Sequence, residues 1–206
     1  MLRHAFITAG LLSVAAPLYC GAGSIVSGVT TDHAPAAHAA MDGVYVSTAD
    51  YTVPQVELVR QDGQRVSLPK ELDDGRVVVM NFIFTTCETT CPLSSQTFAA
   101  FQRKLGADRR YVHLVSISID PEQDTPLHLR EYAKKFHAGP QWQHYTGTLQ
   151  ASAEAQRAFG AYRGDKMSHT PLTLMRAAPG KPWTRIDGFA TPDQLLYHYR
   201  ELLAAR

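Results

Sequence analysis

The 206-residue chain has almost no excess charge of either sign, since 20 Lys and Arg residues stand against 19 Asp and Glu, for a formal net charge of +1. Nucleic-acid binding needs a basic patch, so the composition gives no support for a nucleic-acid partner. Internal repeats are also absent from the sequence. The hydrophobic fraction of 45% is ordinary for a protein with a core. Composition therefore predicts only a globular domain.

Cysteine is scarce, with three residues at Cys20, Cys87 and Cys91. A disulfide framework would show several cysteines spaced along a short chain. Because Cys20 lies in the hydrophobic N-terminal stretch, the folded part is expected to carry only the close pair. Such a pair is typical of a redox-active dithiol or of a metal site.

The N-terminus has the pattern of a targeting segment. One Arg in the first four residues precedes an uncharged 15-residue run, residues 5–19, as in a secretory signal peptide. The uncharged stretch continues to residue 31, long enough for a membrane anchor, and Cys20 is a further candidate for lipid attachment. We expect residues 1–29 to be a signal peptide or membrane anchor and residues 30–43 a flexible linker, so that the folded part faces the periplasm or another extracytoplasmic space.

From residue 44 onward, strand and helix patterns alternate. Asp62-Gly63 between two short strand patterns predicts a hairpin, and the apolar run 77–84 predicts a strand buried on both faces. Strands interleaved with helices predict an α/β fold whose central sheet is covered on both faces. The remaining predicted strands are residues 112–119, 142–145, 172–175 and 184–189, and the predicted helices include residues 87–104, 151–159 and 192–205.

Cys87 and Cys91 directly follow the buried strand, at the start of a predicted helix. Ligands of open α/β sheets bind beyond the carboxyl ends of strands, and a helix N-terminus favours the thiolate form of cysteine. Spacing of i and i+4 places both residues on one face of a helix, about 5–6 Å apart at Cβ. This separation suits two thiolates on one soft ion such as Cu(I), although a modest distortion would also permit a disulfide.

Two sequence blocks resemble the Sco/SenC family of copper chaperones. FIFTTCETTCP at residues 82–92 resembles the family's F-x-F-T-x-C-x-x-x-C-P signature, and DPEQDTP at residues 120–126 is similar to its second block. The resemblance covers about residues 50–205. It implies a thioredoxin-like α/β fold, a central mixed sheet flanked by helices with an N-terminal hairpin extension, and a thioredoxin-like copper-binding domain over residues 44–206. It also implies a third ligand, a histidine before a late strand, which His169 matches, although Ser168 replaces the usual preceding Asp.

The resemblance implies a metallochaperone that holds one copper ion, Cu(I) or Cu(II), between Cys87, Cys91 and His169. The implied recipient is the binuclear copper centre of cytochrome c oxidase subunit II or another exported copper acceptor, and the implied second partner is a thiol reductant protein. Such a chain would not need to be an enzyme. An alternative is a thiol–disulfide oxidoreductase that reduces cysteines of the oxidase subunit or of another exported protein, for which His169 would be dispensable.

Other candidates have weaker support. A peroxiredoxin-like peroxidase needs an Arg and a Thr beside one activated cysteine, and Thr85 and Thr86 occur without an obvious Arg partner. Asp120 and Asp124 are expected to brace their turn and cap the next helix. The remaining histidines after residue 43 are not expected to bind metal. His113 is expected in a strand, and the others are expected on helix or loop surfaces: His128, His137, His144 and His198.

Overall fold

The computed structural model describes residues 39–41 and 43–205, in which strands and helices alternate. The strands are β1 (Ala39–Met41), β2 (Val44–Ala49), β3 (Glu57–Arg60), β4 (Arg65–Ser67), β5 (Val77–Ile83), β6 (Val112–Ser118), β7 (Trp142–Thr146), β8 (Leu172–Arg176) and β9 (Trp183–Gly188). The helices are α1 (Leu68–Leu72), α2 (Thr90–Lys104), α3 (Pro126–Lys135), α4 (Leu149–Ala158) and α5 (Pro192–Ala204), with 3-10 helices at Gly106–Tyr111 and Lys166–Ser168.

All nine strands of the described residues form one sheet in the order β1-β2-β9-β8-β5-β6-β7-β3-β4. The central pairs β5–β6 and β6–β7 are parallel, and the other pairs are antiparallel. Parallel neighbours need a crossover connection, which α2 provides between β5 and β6 and α3 between β6 and β7. The predicted mixed sheet is confirmed.

Strand β5 is the centre of the core, and all seven of its residues are buried. Because side chains alternate across a strand, Val79 and Ile83 pack on one face, with Phe98 and Phe101 of α2. That face is also covered by α3 and α5. Val78, Met80 and Phe82 pack on the opposite face, which α1 and α4 cover. The continuous apolar run of residues 77–84 is thus explained by helices on both sides of the sheet.

The hairpin predicted at Asp62-Gly63 is present as β3–β4, where Gly63 adopts a positive φ of 90° that favours glycine. It joins the sheet because β3 pairs with β7. Helix α5 begins as predicted, with Thr191 at its N-cap in a reciprocal capping box with Gln194.

The sheet begins inside the segment expected to be a linker. Strand β1 lies within residues 30–43 and pairs with β2 over three residues, from Ala39 opposite Val46 to Met41 opposite Val44. An Ala-rich segment shows no alternating pattern, and ladder hydrogen bonds use only the backbone, so this strand could not be predicted from its residues. The signal peptide or anchor expected at residues 1–29 lies outside the described residues, as does Cys20. Within residues 39–41 and 43–205, no helix is both long and apolar enough to cross a membrane.

Candidate metal centre

The two cysteines lie close together beyond the carboxyl end of β5. Helix α2 begins at Thr90, three residues later than predicted, so Cys87 precedes the helix and Cys91 lies in its first turn. The prediction that both cysteines share one helix face was therefore wrong in this respect. The cause is a turn before the helix, in which the Cys87 N–H donates to the Phe84 carbonyl at 3.2 Å. The Cys91 N–H then donates to Cys87 Sγ at 3.3 Å, and both residues are free thiols.

The two thiols differ strongly in their surroundings. Partial burial raises the pKa of Cys87, but the backbone N–H groups of Cys91, Thr89 and Thr90 stabilise the thiolate and leave that pKa below its usual value. Cys91 is only 1% exposed, and burial, reinforced by the neighbouring Cys87 and by Asp124, raises its pKa far above the usual range. The pair thus combines a partly exposed cysteine whose thiolate is favoured with a buried cysteine that favours its thiol form, and partial exposure with a lowered pKa is typical of reactive cysteines.

Asp124 fixes the loop in front of Cys87. This fully buried carboxylate accepts hydrogen bonds from the Thr85 N–H at 3.0 Å, the Thr85 hydroxyl at 2.5 Å and the Ser118 hydroxyl at 2.5 Å. Burial raises its pKa, although these donors act in the opposite direction. The prediction that Asp124 caps the following helix was wrong, because the Thr125 side chain takes that position and accepts from the His128 N–H. The Asp120 backbone carbonyl accepts the Asp124 N–H at 2.9 Å within the turn, while the Asp120 side chain pairs with Lys166.

His169 lies just before β8, at the end of the 3-10 helix Lys166–Ser168, as the sequence predicted for a loop position. Its Nε2 is 3.0 Å from the Phe82 carbonyl oxygen. Because a carbonyl oxygen only accepts, Nε2 carries the hydrogen and Nδ1 keeps a lone pair. Burial lowers the pKa of His169, the bond to Phe82 opposes that effect, and the Arg163 charge lowers the pKa further. The imidazole is therefore neutral and oriented by a carbonyl, the state in which histidines bind metals.

The structure gathers the two cysteines but does not bring His169 to them. No group of three or more His, Cys, Asp or Glu side chains in the described part of the chain is arranged to hold a metal ion. Cys87 lines a cleft of about 560 Å³ together with Pro92 and Phe136. His169 lines a different cleft of about 420 Å³, beside Asp120 and Arg163. His169 as a third ligand thus stays a prediction, and it requires movement of the histidine loop or of its side chain.

The donor chemistry fits copper better than a structural zinc ion. Two neighbouring sulfurs and one neutral imidazole are soft or borderline donors, which suit Cu(I) at low coordination number. A structural zinc site closes with four protein ligands. The predicted set of Cys87, Cys91 and His169 has only three ligands.

Two residues near the site make long-range contacts that local sequence does not indicate. Thr85 is bound by Asp124, which lies 39 residues away along the chain. Lys166 is bound by Asp120, 46 residues away. Neither contact follows from local spacing, because both depend on which strands become neighbours in the sheet.

The other histidines divide into exposed and buried positions. His128 and His137 are exposed as expected, and His113 is buried in β6, where it contacts the Glu71 carbonyl and the Tyr145 hydroxyl. The surface position expected for His144 was wrong, because this residue is fully buried in β7, with its ring stacked on Trp142 at 5.1 Å. The surface expected for His198 was also wrong, since it is 9% exposed on α5.

The fold and site together define a thioredoxin-like α/β protein with a dithiol beyond its central strand. A protein-family model described as SCO1/SenC matches residues 46–204. Because this match covers most of the 206 residues, the chain belongs to the SCO1/SenC family, and the predicted family and fold are confirmed.

Individual relatives agree with that assignment. The chain is 37% identical over 106 residues to the SCO1 protein homolog of Bacillus subtilis, a match over 51% of this chain and 54% of that protein. It is 30% identical over 135 residues to an SCO2-like protein of Rickettsia conorii, over 61% of this chain and 64% of that protein. The chain thus spans about half to two thirds of the length of these relatives.

Among solved structures, Arabidopsis thaliana ScoI with copper bound superposes with a TM-score of 0.63 at 26% identity, covering 75% of this chain and 99% of that one. BsSco, described as a Sco-family cytochrome c oxidase assembly protein with a disulfide switch, gives a TM-score of 0.64 at 28% identity, covering 78% and 98%.

Proposed function

We propose that this chain is a copper metallochaperone that binds one copper ion through Cys87, Cys91 and His169. The observation that carries the proposal is the close pair of thiols, one of them biased toward thiolate, beyond the end of β5. The neutral His169 with a free Nδ1 supplies a third donor of the right kind. The copper-bound structure of Arabidopsis ScoI supports copper as the cargo. Two thiolates favour Cu(I), while an imidazole is also compatible with Cu(II).

Copper is the cargo of this site, and the protein's part is to hold the donors in the right state. Both sulfurs must be reduced and deprotonated to bind the ion, so a Cys87–Cys91 disulfide abolishes binding and a thiol reductant protein must precede loading. The partly exposed Cys87 is the sulfur that an acceptor's thiolate can replace first, and the buried Cys91 is the last to release the ion. The proposed recipient is the copper centre of cytochrome c oxidase subunit II or another exported acceptor, a role that the description of BsSco supports.

Metal titration of the reduced protein tests the ligand set. We expect Cys87→Ser and Cys91→Ser to lose tight copper binding, since each removes one of two thiolates, and His169→Ala to weaken it. His128→Ala is the matched control, because His128 is an exposed histidine on α3. Unchanged affinity in all three site variants would reject the proposal.

A second candidate, thiol–disulfide exchange, is supported by the asymmetry of the two thiols. In this reaction the Cys87 thiolate attacks a partner disulfide and releases one partner thiolate. Cys91, after losing its proton, then attacks the Cys87 sulfur and releases the second, so that the partner gains two electrons and this chain becomes a disulfide. A reductant thiol protein would restore the dithiol. Because His169 takes no part in this exchange, His169→Ala should retain disulfide reduction while copper binding weakens.

The proposed location is extracytoplasmic, with residues 1–29 serving as a signal peptide or membrane anchor and residues 30–38 as a tether to the domain. The uncharged stretch after Arg3 supports this. Cell fractionation and the intact mass of the mature protein distinguish cleavage, retention and lipid attachment at Cys20, for which Cys20→Ser is the control. Recovery of the full-length, unmodified chain in the cytoplasm would contradict the proposal.

A further inference from the structure

The side chain of Lys166 fastens the 3-10 helix that precedes His169 to the rest of the domain. Lys166 Nζ lies 2.5 Å from Asp120 Oδ2 and 5.7 Å from the centroid of the Phe84 ring. The Asp120 side chain is 8% exposed and that of Lys166 39%, so the ion pair lies partly out of water. Phe84 belongs to the sequence block that contains the cysteines, and Asp120 to the second block. Lys166 therefore ties the histidine loop to both blocks.

The position of Lys166 is transmitted to His169 through a short, hydrogen-bonded turn. The Lys166 carbonyl accepts the His169 N–H at 3.1 Å. The Asp165 carboxylate caps the same turn by accepting the Met167 N–H at 2.9 Å. A second attachment is the bond from the imidazole to the Phe82 carbonyl. The Gly188 N–H also donates to the Pro171 carbonyl, on the far side of His169. Loss of the Lys166 contact would therefore leave the residues before His169 without their side-chain attachment to the second sequence block.

We propose that Lys166 is a positioning residue for copper binding: its ion pair with Asp120 holds the backbone of the His169 loop beside the ends of β5 and β6, so that only the imidazole has to leave Phe82 and turn toward the sulfurs. This inference rests on the proposed function. A ligand on a tethered loop binds at an effective concentration set by the tether, and loosening the tether lowers that concentration. Lys166 itself does not touch the ion, because an ammonium group has no lone pair to donate. Its contribution must therefore disappear when the imidazole is removed.

A double-mutant cycle on the full reduced protein tests this dependence. Cu(I) affinity is measured by competition with a chromophoric chelator for the wild type, Lys166→Met, His169→Ala and the double variant. We expect Lys166→Met to weaken binding about two- to fivefold, the range for a partly exposed ion pair. The same change should have no effect in the His169→Ala background. Lys166→Arg, which keeps the charge, should restore most of the affinity.

Amide hydrogen exchange of the copper-free protein gives a readout that does not depend on the metal. Lys166→Met should speed exchange at residues 163–170 and leave β5 unchanged. Lys181→Met, which removes an exposed lysine on the turn between β8 and β9, is the control and should change neither exchange nor affinity.

Asp120→Asn distinguishes the structural effect of the ion pair on Cu(I) affinity from the long-range electrostatic effect of the lysine charge on the copper ion. Loss of the pair predicts weaker copper binding in both Lys166→Met and Asp120→Asn. A through-space effect on a cation predicts opposite signs, with tighter binding when the lysine charge is removed. The inference is overturned if Lys166→Met leaves Cu(I) affinity unchanged or tighter, or lowers it equally without His169. If His169→Ala does not weaken binding, the proposed ligand set fails, and this inference fails with it.

Discussion

Replacing Asp124 with Ala should destabilise the domain and loosen the loop that carries Cys87. The change removes the acceptor for the Thr85 N–H and for the hydroxyls of Thr85 and Ser118. A buried donor left without a partner costs about 1–3 kcal/mol. Ser118 is fully buried, but Thr85 is half-buried, so water can replace part of its loss. The carboxylate is itself costly to bury, so its removal offsets another part of the lost stability. We expect a net loss of about 3 kcal/mol.

Urea unfolding at several pH values measures both this loss and its origin. Burial raises the pKa of Asp124 above its unfolded value, so the wild type gains stability relative to Asp124→Ala as the pH falls through that raised pKa. The difference in free energy of unfolding between the wild type and Asp124→Ala should therefore increase as the pH is lowered from 7 to 4. Glu122→Ala, an exposed carboxylate in the same turn, should stay within about 0.5 kcal/mol of the wild type. A loss below about 1 kcal/mol, or a gap that narrows on acidification, would refute the reasoning.

Three further predictions concern the thiols, the core and a helix end. In the reduced, copper-free protein, iodoacetamide should label Cys87 before Cys91, because the thiolate reacts and Cys91 is buried; peptide mass spectrometry checks the order, and earlier labelling of Cys91 would contradict it. Burial lowers the pKa of His144 to about 3, so this residue stays neutral in the folded protein but gains a proton in the unfolded chain below about pH 6.5. The free energy of unfolding of the wild type should therefore fall by up to about 2 kcal/mol between pH 6.5 and pH 5. His144→Phe should flatten that fall in urea unfolding, and an equally steep fall would show that this residue is not its source. Thr191→Ala removes the N-cap of α5 and should cost about 1 kcal/mol in the same assay, whereas no change would mean that the cap is replaced.

The elements that could be predicted are those whose structure depends on residues adjacent in the sequence. Strand β5 was evident from its unbroken apolar run, and the β3–β4 hairpin from Asp62-Gly63, because burial on two faces and a positive φ each restrict residue type. The Cys87–Cys91 pair was evident from its spacing. The start of α2 was misplaced because the turn that the Cys87 N–H and the Phe84 carbonyl close contains no glycine or proline to indicate it.

What escaped prediction depends on contacts between distant segments. The alternation of β7 could not show that His144 faces the core, because histidine is a polar residue that usually indicates the exposed face of a strand. Its burial results from α3, which covers that face of the sheet. The partners of Asp124 and Lys166 follow from the sheet order, which places the end of β5 beside the end of β6. His169 was correctly placed before β8, yet its hydrogen bond to Phe82 could not be read from the sequence.

The outer strand β4 has a consequence for how the domain meets other chains. It is three residues long, is followed at once by α1, and begins with the exposed Arg65. An outer strand normally offers a row of free amide and carbonyl groups on which a foreign strand can grow the sheet. Here that row ends after Ser67, where the backbone turns into the helix. Fibre-like stacking and strand exchange through this side of the sheet are therefore disfavoured.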